Sequence, residues 1–380
     1  MKDLSESRVL IVDDVKANVD VLVQALRDDY RISVSLNGEA ALRSVEKNPP
    51  DLVLLDIVMP GLDGYEVCRR LRAAAPTREL PVMFLSSLDE VQNKTLGFEV
   101  GGNDYLTKPF EVLEVKARVR SLLKAKAYSD AVKERLAAEL RIAREIQLGI
   151  LPSDVAARVR DTGLEICAIL EAAREVGGDL YEVLRLVDGR VLVAVGDVSG
   201  KGIPAALFMA VTTTLLRTMA QQFCEPEEIV RRVNDVLALQ NPSGMFVTLI
   251  CLVVDPATGT VTCANAGHPP PVLLRPGAAP TPTLASTGTL IGILPGAEVG
   301  CESIVLQPGD ALVVYTDGVT EAFDAAGDMF DEDLLQAYLA QAPRGSAAEI
   351  AQGVLGAVRR HAGEHPQSDD ITIVTLCRLK

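Results

Sequence analysis

Aspartates that directly follow apolar segments are the residues of this sequence whose type and position could do chemistry. Asp13 and Asp14 follow Val9–Val12, and Asp56 follows the segment Asp51–Leu55. If these segments are parallel strands, their carboxyl ends meet at one edge of the sheet, where open α/β sheets bind ligands. Three adjacent carboxylates repel one another unless a divalent cation lies among them, and magnesium prefers such oxygen ligands. The trio therefore predicts a magnesium site that also receives a phosphate.

Two further residues supply groups that bind a phosphoryl group. Ser86 ends the next apolar segment and could donate a hydrogen bond to a phosphoryl oxygen. Lys108, which precedes Pro109, could contribute a positive charge. A capping aspartate or a surface lysine would explain any one of these residues alone, but all five in this order favour phosphoryl transfer to an aspartate.

A second set of aspartates occupies turns or strand ends in the other half of the chain. Ordinary Asp/Gly turns would explain one such residue, but not why several apolar strands each abut an acidic one. Converging carboxylates with only Lys201 close by suit two hard divalent ions roughly 3.5–4 Å apart, which lower the pKa of a bridging water. Hydrolysis of a phosphate ester is the reaction that this set predicts. Its members are Asp179, Asp197, Asp317, Asp369 and Asp370.

Two other residues near this set have competing interpretations. Arg174 lies shortly before Asp179 and could bind a substrate phosphate through two hydrogen bonds, with a surface salt bridge as the equal alternative. His268 could bind a metal, but its place between Gly267 and Pro269 favours a structural role in a turn.

The elements that must position these side chains change in type along the chain. From Arg8 to about Lys124, short apolar segments alternate with amphipathic ones, which predicts βα units around a parallel sheet. After Pro152, strands separated by Gly/Pro turns mix with helices, which predicts an α+β domain. The predicted domains are residues 1–124 and 153–380, joined by a helical linker over residues 125–152.

The connector is predicted to be one long helix or two abutting helices over Glu111–Gly149, because Pro and interior Gly are absent there. Its apolar residues partly follow a three-four spacing, which favours a dimeric coiled coil and, nearly equally, packing against a neighbouring domain. These residues are Leu122, Val132, Leu136, Ala143, Ile146 and Ile150.

Length and composition bound the class of protein. A chain of 380 residues with 48% hydrophobic and 23% charged residues is typical of two globular domains and a connector. The formal net charge of −15 does not attract nucleic acid, so cations and proteins are the expected partners. Met1–Ser7 is polar and no apolar run approaches the roughly 20 residues that span a bilayer, which predicts a cytoplasmic protein. The seven cysteines lack CxxC pairs, which favours reduced core thiols over a zinc site.

The first half resembles the response-regulator receiver family through VLIVDD, DIVMPGLDGYEV, VMFLSS and NDYLTKPF, in order throughout Arg8 to Lys124. The family fold is a doubly wound α/β domain with a five-stranded parallel sheet. The resemblance implies that Asp56 takes a phosphoryl group from a sensor histidine kinase. Ser87 departs from the family, which usually carries Ala or Gly there.

The same resemblance implies roles for the other residues of this site. Ser86 and Tyr105 would form the conformational switch pair, beside Lys108. The implied Mg²⁺ ligands are Asp14, Asp56 and the Val58 carbonyl, with Asp13 reaching the ion directly or through water.

The second half resembles the PPM-type metal-dependent serine/threonine phosphatases, in the SpoIIE/RsbU-like branch, over roughly Glu145 to Leu379. The motifs occur in the family's order: REIQLGILP, REVGGD, GDVSGKGIPAALFMA, ANAGHPPPVLL, LVVYTDGVTEA and SDDIT. This implies a β-sandwich flanked by helices and two Mn²⁺ or Mg²⁺ ions. Asp197 would bridge both ions, and Asp370 would support the site or exchange roles with Asp369. Asp179 and the Val198 carbonyl would complete one ion site, and Asp317 with Asp369 would hold the other.

Together the two resemblances imply a response regulator in which phosphorylation of an aspartate controls a protein phosphatase. In the resembling family the substrate is commonly a phosphorylated anti-sigma-factor antagonist of the STAS type. The rival hypothesis is a phosphorylation-gated binding scaffold with a catalytically inactive phosphatase-like domain.

Overall fold

The computed structural model of the chain describes residues 3–86, 99–239, 241–342 and 345–379. Ser87 lies outside these residues. The structure divides into two compact units, residues 1–138 and 139–380, and this division falls within the predicted linker. The domain boundaries predicted at residues 124 and 152 remain predictions.

The first unit is a parallel sheet of five strands in the order β2-β1-β3-β4-β5, as predicted. Consecutive residues of β1 point to opposite faces, so Leu10 lies in one core and Ile11 in the other. Helices cover both faces, since a parallel sheet is buried on each side. The strands are β1 (Arg8–Val12), β2 (Arg31–Ser35), β3 (Leu52–Asp56), β4 (Val82–Ser86) and β5 (Asp104–Thr107), and the first helices are α1 (Lys16–Leu26), α2 (Gly38–Lys47) and α3 (Gly64–Ala73).

The connector is a single helix, α4 (Val112–Ile150), as its composition predicts. Its first turns complete the receiver core, because Val115, Val119 and Leu123 pack with α1 residues on one face of the sheet. Leu122, which the coiled-coil interpretation placed in the apolar stripe, packs partly against this same core. Other residues of that stripe are about half exposed or more: Val132, Leu136 and Ile146.

The second unit is a sandwich of two antiparallel five-stranded sheets with a shared core between them. The sheet orders are β13-β10-β9-β8-β7 and β12-β11-β14-β15-β6. The strands are β6 (Leu164–Glu171), β7 (Leu180–Arg185), β8 (Val191–Val198), β9 (Val247–Val254), β10 (Thr260–Ala266), β11 (Val272–Leu274), β12 (Thr281–Pro282), β13 (Glu302–Val305), β14 (Ala311–Tyr315) and β15 (Ile371–Arg378).

Helices cover the outer faces of this sandwich, which confirms the predicted β-sandwich flanked by helices. Met209 and Val233 bury their helices against the first sheet, and Leu335 and Val354 bury theirs against the second. The helices are α5 (Val155–Arg158), α6 (Ile203–Ala220), α7 (Pro226–Leu239), α8 (Asp331–Gln341) and α9 (Ala347–Ala362).

Helix α6 is, by length and composition alone, apolar enough to cross a membrane, which corrects the prediction that no apolar run approaches that length. Its composition has a structural reason in this fold. Ala205, Met209 and Leu216 are fully buried in the core beside the first sheet. Packing on the sheet therefore explains part of this apolar composition, since 33% of the helix is buried.

Candidate functional site

The acidic trio of the first unit lies at the carboxyl edge of the parallel sheet. Asp13 and Asp14 directly follow β1, and Asp56 is the last residue of neighbouring β3. One ligand oxygen from each carboxylate lies within 4.8 Å of the others. Among the described residues, this is the one group of three or more His, Cys, Asp or Glu side chains that meets this distance. The donor set is hard oxygen, which fits Mg²⁺.

Lys108 neutralises part of this negative charge. Its Nζ lies 2.8 Å from Asp13 Oδ2 and 2.8 Å from Asp56 Oδ2. Burial raises the pKa of Asp56 to about 6; the Lys108 ammonium opposes this rise, and the Asp13 and Asp14 charges add to it. The main-chain N–H of Val15 also donates to Asp13 Oδ1 at 2.8 Å, which fixes that carboxylate.

The two predicted switch residues lie on neighbouring strands beside the trio. Ser86 ends β4, and its buried Oγ has no hydrogen-bond partner among the described residues. An unsatisfied buried hydroxyl is costly, so this group fits a role as donor to a phosphoryl oxygen. Tyr105 on β5 is buried, with its ring 5.4 Å from that of Phe84 between centroids. Val58 is 62% exposed, just after Asp56.

The second set of aspartates comes from four separate segments of the sandwich. We call Asp179, Asp197, Asp317, Asp369 and Asp370 the carboxylate cradle. Asp179 precedes β7, Asp197 lies within β8, Asp317 follows β14, and the last two precede β15. These residues are more widely spaced than the receiver trio, since no three of them bring ligand atoms within 4.8 Å.

Asp179 is the most deeply buried member of the cradle, at 1% exposure. Its Oδ2 accepts hydrogen bonds from Thr316 Oγ1 at 2.8 Å and Thr372 Oγ1 at 2.5 Å. Burial raises the pKa of Asp179 well above its ordinary value, and the charge of Asp197 adds to this effect. The two threonines therefore hold a carboxylate whose negative charge is unfavourable without a cation.

Asp370 has its oxygens occupied by the main chain of the loop that carries Asp179. Oδ1 accepts from the Ala173 N–H at 2.8 Å, and Oδ2 accepts from the Gly178 N–H at 2.6 Å. Gly177 must be glycine here, since a Cβ would lie 2.1 Å from Asp370 Oδ2. The geometry thus makes Asp370 a residue that positions the loop, and Asp369, with its side chain 30% exposed, faces solvent and Lys201.

Burial and neighbouring negative charge act together on Asp197 and Asp317. Burial, followed by the charges of Asp317 and Asp369, raises the pKa of Asp197. Burial also raises the pKa of Asp317, with help from Glu321 and Asp369. The Val198 carbonyl lies beside the Asp179 loop, because a Cβ on Gly178 would be 2.8 Å from this oxygen. Hard oxygen donors with excess negative charge fit divalent cations.

The two residues with competing interpretations lie in different environments. Arg174 is exposed and makes no ion pair or hydrogen bond with the part of the chain that the structure describes. His268 is buried, its main-chain N–H donates to Asn265 Oδ1 at 2.8 Å, and its Nδ1 lies 3.1 Å from Thr248 Oγ1. Burial lowers the pKa of the His268 imidazole to about 3. The ring is therefore neutral within this backbone turn.

Sequence reasoning missed Gln147, which joins the connector helix to the Asp179 loop. Its Nε2 donates to the Gly177 carbonyl at 2.6 Å, and its Oε1 accepts from the Gly177 N–H at 3.2 Å. Gln147 is the one buried side chain of α4 between residues 139 and 150. A polar residue buried on an otherwise exposed helix turn cannot be recognised from periodicity, because glutamine is normally an exposed helix residue.

The chain was also compared with known proteins. The profile of the family described as Stage II sporulation protein E (SpoIIE) matches residues 187–379, just over half of the chain. The chain therefore belongs to the SpoIIE family. The profile described as response regulator receiver domain matches residues 9–120. This chain of the SpoIIE family is thus a receiver domain fused to a PPM-type phosphatase domain, which confirms both predicted resemblances.

Curated relatives share one or both halves. The response regulator PleD of Caulobacter vibrioides is 39% identical over 137 residues, which are 36% of this chain and 30% of PleD. Protein IcfG of Synechocystis sp. is 30% identical over 291 residues, covering 70% of this chain and 44% of IcfG. The chain therefore spans less than half the length of these relatives.

Among solved structures, the SiaA-PP2C domain of Pseudomonas aeruginosa has a TM-score of 0.58 at 22% identity. The match covers 66% of this chain and 99% of that domain. At this identity the likeness shows the fold, which is that of a PP2C-type phosphatase domain.

Proposed function

We propose that this chain is a two-component response regulator in which phosphorylation of Asp56 controls a metal-dependent protein serine/threonine phosphatase. The observation that carries the proposal is the carboxylate cradle: aspartates from four separate segments converge, and burial together with their neighbouring negative charges raises the pKa of Asp179, Asp197 and Asp317. A scaffold has no need of such an unfavourable charge cluster, whereas two-metal phosphoester hydrolysis requires it.

The roles of the cradle residues follow from their environments. Asp197 would bridge two Mn²⁺ or Mg²⁺ ions, because Asp179, Asp317 and Asp369 are all near enough to influence its pKa. When bound, such ions lower the pKa of a water and stabilise the charge of the displaced oxygen. Asp179 and the Val198 carbonyl would hold one ion, and Asp317 with Asp369 the other. Asp370 keeps the Asp179 loop in place, and Arg174 is free to meet a substrate phosphate.

The partners of this reaction are proposals as well. A sensor histidine kinase would phosphorylate Asp56, with Mg²⁺ held by the trio and the Val58 carbonyl. The substrate would be a phosphorylated STAS-type anti-sigma-factor antagonist, acted on in the cytoplasm and without nucleic acid, which suits a formal net charge of −15.

The purified protein with Mn²⁺ should hydrolyse a phosphoserine protein, and removal of the metal with EDTA should stop this hydrolysis. Metal-independent capture of that protein without phosphate release would instead support a scaffold.

Acetyl phosphate with Mg²⁺ should label the chain once, at Asp56. Lys108 Nζ lies 2.8 Å from this carboxylate, which ends β3 between the acidic pair that follows β1 and Ser86 at the end of β4. Phosphate incorporation measured on intact protein should disappear in Asp56→Asn and persist in Asp51→Asn, an aspartate just before the same strand. Wild-type labelling of Asp56→Asn would refute the assignment.

The connector offers a surface for self-association, since Val132, Leu136 and Ile146 are at least 49% exposed on α4. We propose a parallel homodimer through this stripe, which phosphorylation would strengthen or weaken. Molecular mass, measured by light scattering on the labelled and unlabelled samples, tests it together with Leu136→Asp. A monomeric mass in every sample would exclude the dimer.

A further inference from the structure

Lys201 is the one basic residue that the structure shows ion-paired with the carboxylate cradle, within the ranges described above. Its Nζ lies 2.7 Å from Asp369 Oδ2 and donates to the Ser368 carbonyl at 2.7 Å. The side chain of Lys201 is 40% exposed, and that of Asp369 is 30% exposed. The ammonium group therefore reaches the cradle from its solvent side, without being buried in it.

The backbone around Lys201 is fixed at one end and glycine-rich on both sides. The Ser199 N–H donates to the Phe246 carbonyl, and the Phe246 N–H donates to Ser199 Oγ, each at 2.9 Å. Gly200 and Gly202 have φ of +86° and +78°, a region in which other residues are strained, and both have open space where a Cβ would be. The loop thus holds the backbone of Lys201 near the cradle, and the side chain of Lys201 is partly exposed to solvent.

Asp369 cannot serve the ammonium group and a divalent cation at the same oxygen. A cation bound at the usual distance of roughly 2.0–2.2 Å from a carboxylate oxygen would lie next to the ammonium, and two positive charges at this separation repel. We propose that Lys201 is the built-in counter-ion of the Asp369 position, which a divalent ion displaces, and that the released ammonium then binds the substrate phosphate. This inference rests on the proposed phosphatase function.

The released ammonium would supply a positive charge to the substrate phosphate, which the carboxylates of the cradle do not. A phosphate monoester is a dianion, and five carboxylates repel it wherever bound cations do not fully offset their charge. Lysine binds phosphate as a mobile point charge, so one side chain can serve first as a counter-ion and then as a substrate contact. Arg174 lacks this double role, since it contacts no described carboxylate.

The test measures Mn²⁺ affinity and catalysis in the full chain. All proteins carry Asp13→Asn and Asp14→Asn, so that calorimetry reports Mn²⁺ binding at the cradle. Lys201→Met should bind Mn²⁺ about two- to fivefold more tightly, because a partly exposed competing ion pair is gone. Its KM for p-nitrophenyl phosphate should rise about tenfold or more, with a smaller change in kcat, since a charged hydrogen bond to phosphate is lost. Lys201→Arg, which keeps the charge, should bind Mn²⁺ within about twofold of the parent.

Two controls locate the effect. In an Asp369→Asn background, Lys201→Met should leave Mn²⁺ affinity unchanged, because the competing pair no longer exists. Lys116→Met removes a similarly exposed lysine, ion-paired with Asp29 at 2.8 Å, and should change neither quantity. Unchanged or weaker Mn²⁺ binding by Lys201→Met overturns the counter-ion role, and an unchanged KM overturns the phosphate contact. If the chain with native Asp13 and Asp14 has no turnover with Mn²⁺, either with or without a stable phosphoryl mimic at Asp56, the proposed phosphatase function fails, while the calorimetry still decides the counter-ion role.

Discussion

Asp197→Ala is expected to lower phosphatase turnover by about 10²–10³-fold or more while the domain stays folded. Asp197 lies within β8, where its register partner on β9 is Thr248, so its backbone is held by the sheet whatever its side chain. The loss would be catalytic because Asp197 is the proposed bridging ligand, and Asp317, Asp369 and Asp179 all influence its pKa. The measurement is kcat with p-nitrophenyl phosphate and Mn²⁺, beside thermal unfolding of the same samples.

Stability of the chelated protein separates a lost ligand from a lost fold. The folded pKa of Asp197 is raised above the ordinary 3.8, so this group binds its proton more strongly when folded. Stability from this group is therefore present at low pH and is lost as the pH rises from about 4 through the folded pKa. Without metal at neutral pH, Asp197→Ala should consequently unfold no more easily than the wild type.

A matched aspartate tests the alternative of ordinary Asp/Gly turns. Asp255 caps such a turn, accepting from the Ala257 N–H at 2.9 Å and from Thr258 Oγ1 at 2.8 Å. Asp255→Ala should cost about 1 kcal/mol of stability, a typical value for a lost cap, and leave turnover unchanged. Near-normal turnover by Asp197→Ala, or an equal loss in Asp255→Ala, would contradict the assigned role.

The receiver fold could be predicted from the sequence because its signals are local. Each parallel strand is a short apolar run, and the functional aspartates lie at the ends of these runs. The same pattern therefore predicts both the strand ends and the site residues. The structure adds what no spacing contains: Lys108 reaches both Asp13 and Asp56, and the Ser86 hydroxyl is buried without a described partner.

In the phosphatase domain the missed features depend on contacts between distant segments. The division of roles between Asp369 and Asp370 stayed open because the two are adjacent in a bend just before β15, and only the fold decides which one meets the Asp179 loop. Glu182 gave no sequence signal either. It is fully buried in β7 between Arg158 and Arg217, and the latter also donates to the Ile150 carbonyl at the end of α4.

Gln147→Ala is expected to lower turnover about tenfold or more and to destabilise the domain by about 2–4 kcal/mol. The variant leaves the N–H and the carbonyl of buried Gly177 without their partner, and each unsatisfied buried group costs about 1–3 kcal/mol. The loop would still be tied to Asp370 through Gly178, so Asp179 is displaced but not released. If Asp179 holds a metal ion as proposed, its misplacement by about 1 Å is enough to slow a preorganised site. Turnover and Mn²⁺ affinity, measured together, check this expectation.

The same variant tests whether α4 carries the signal from Asp56. This helix contributes Val115 and Val119 to the receiver core and Gln147 to the Asp179 loop, so a change in the helix can alter the loop only through such contacts. A stable phosphoryl mimic at Asp56 should change wild-type turnover roughly 5–150-fold, the range of an allosteric coupling of about 1–3 kcal/mol. In Gln147→Ala this response should largely disappear, whereas Glu145→Ala, an exposed residue on the same turn, should retain it. An equal response in all three proteins would show that the signal passes elsewhere, because Gln147 would then only stabilise the loop.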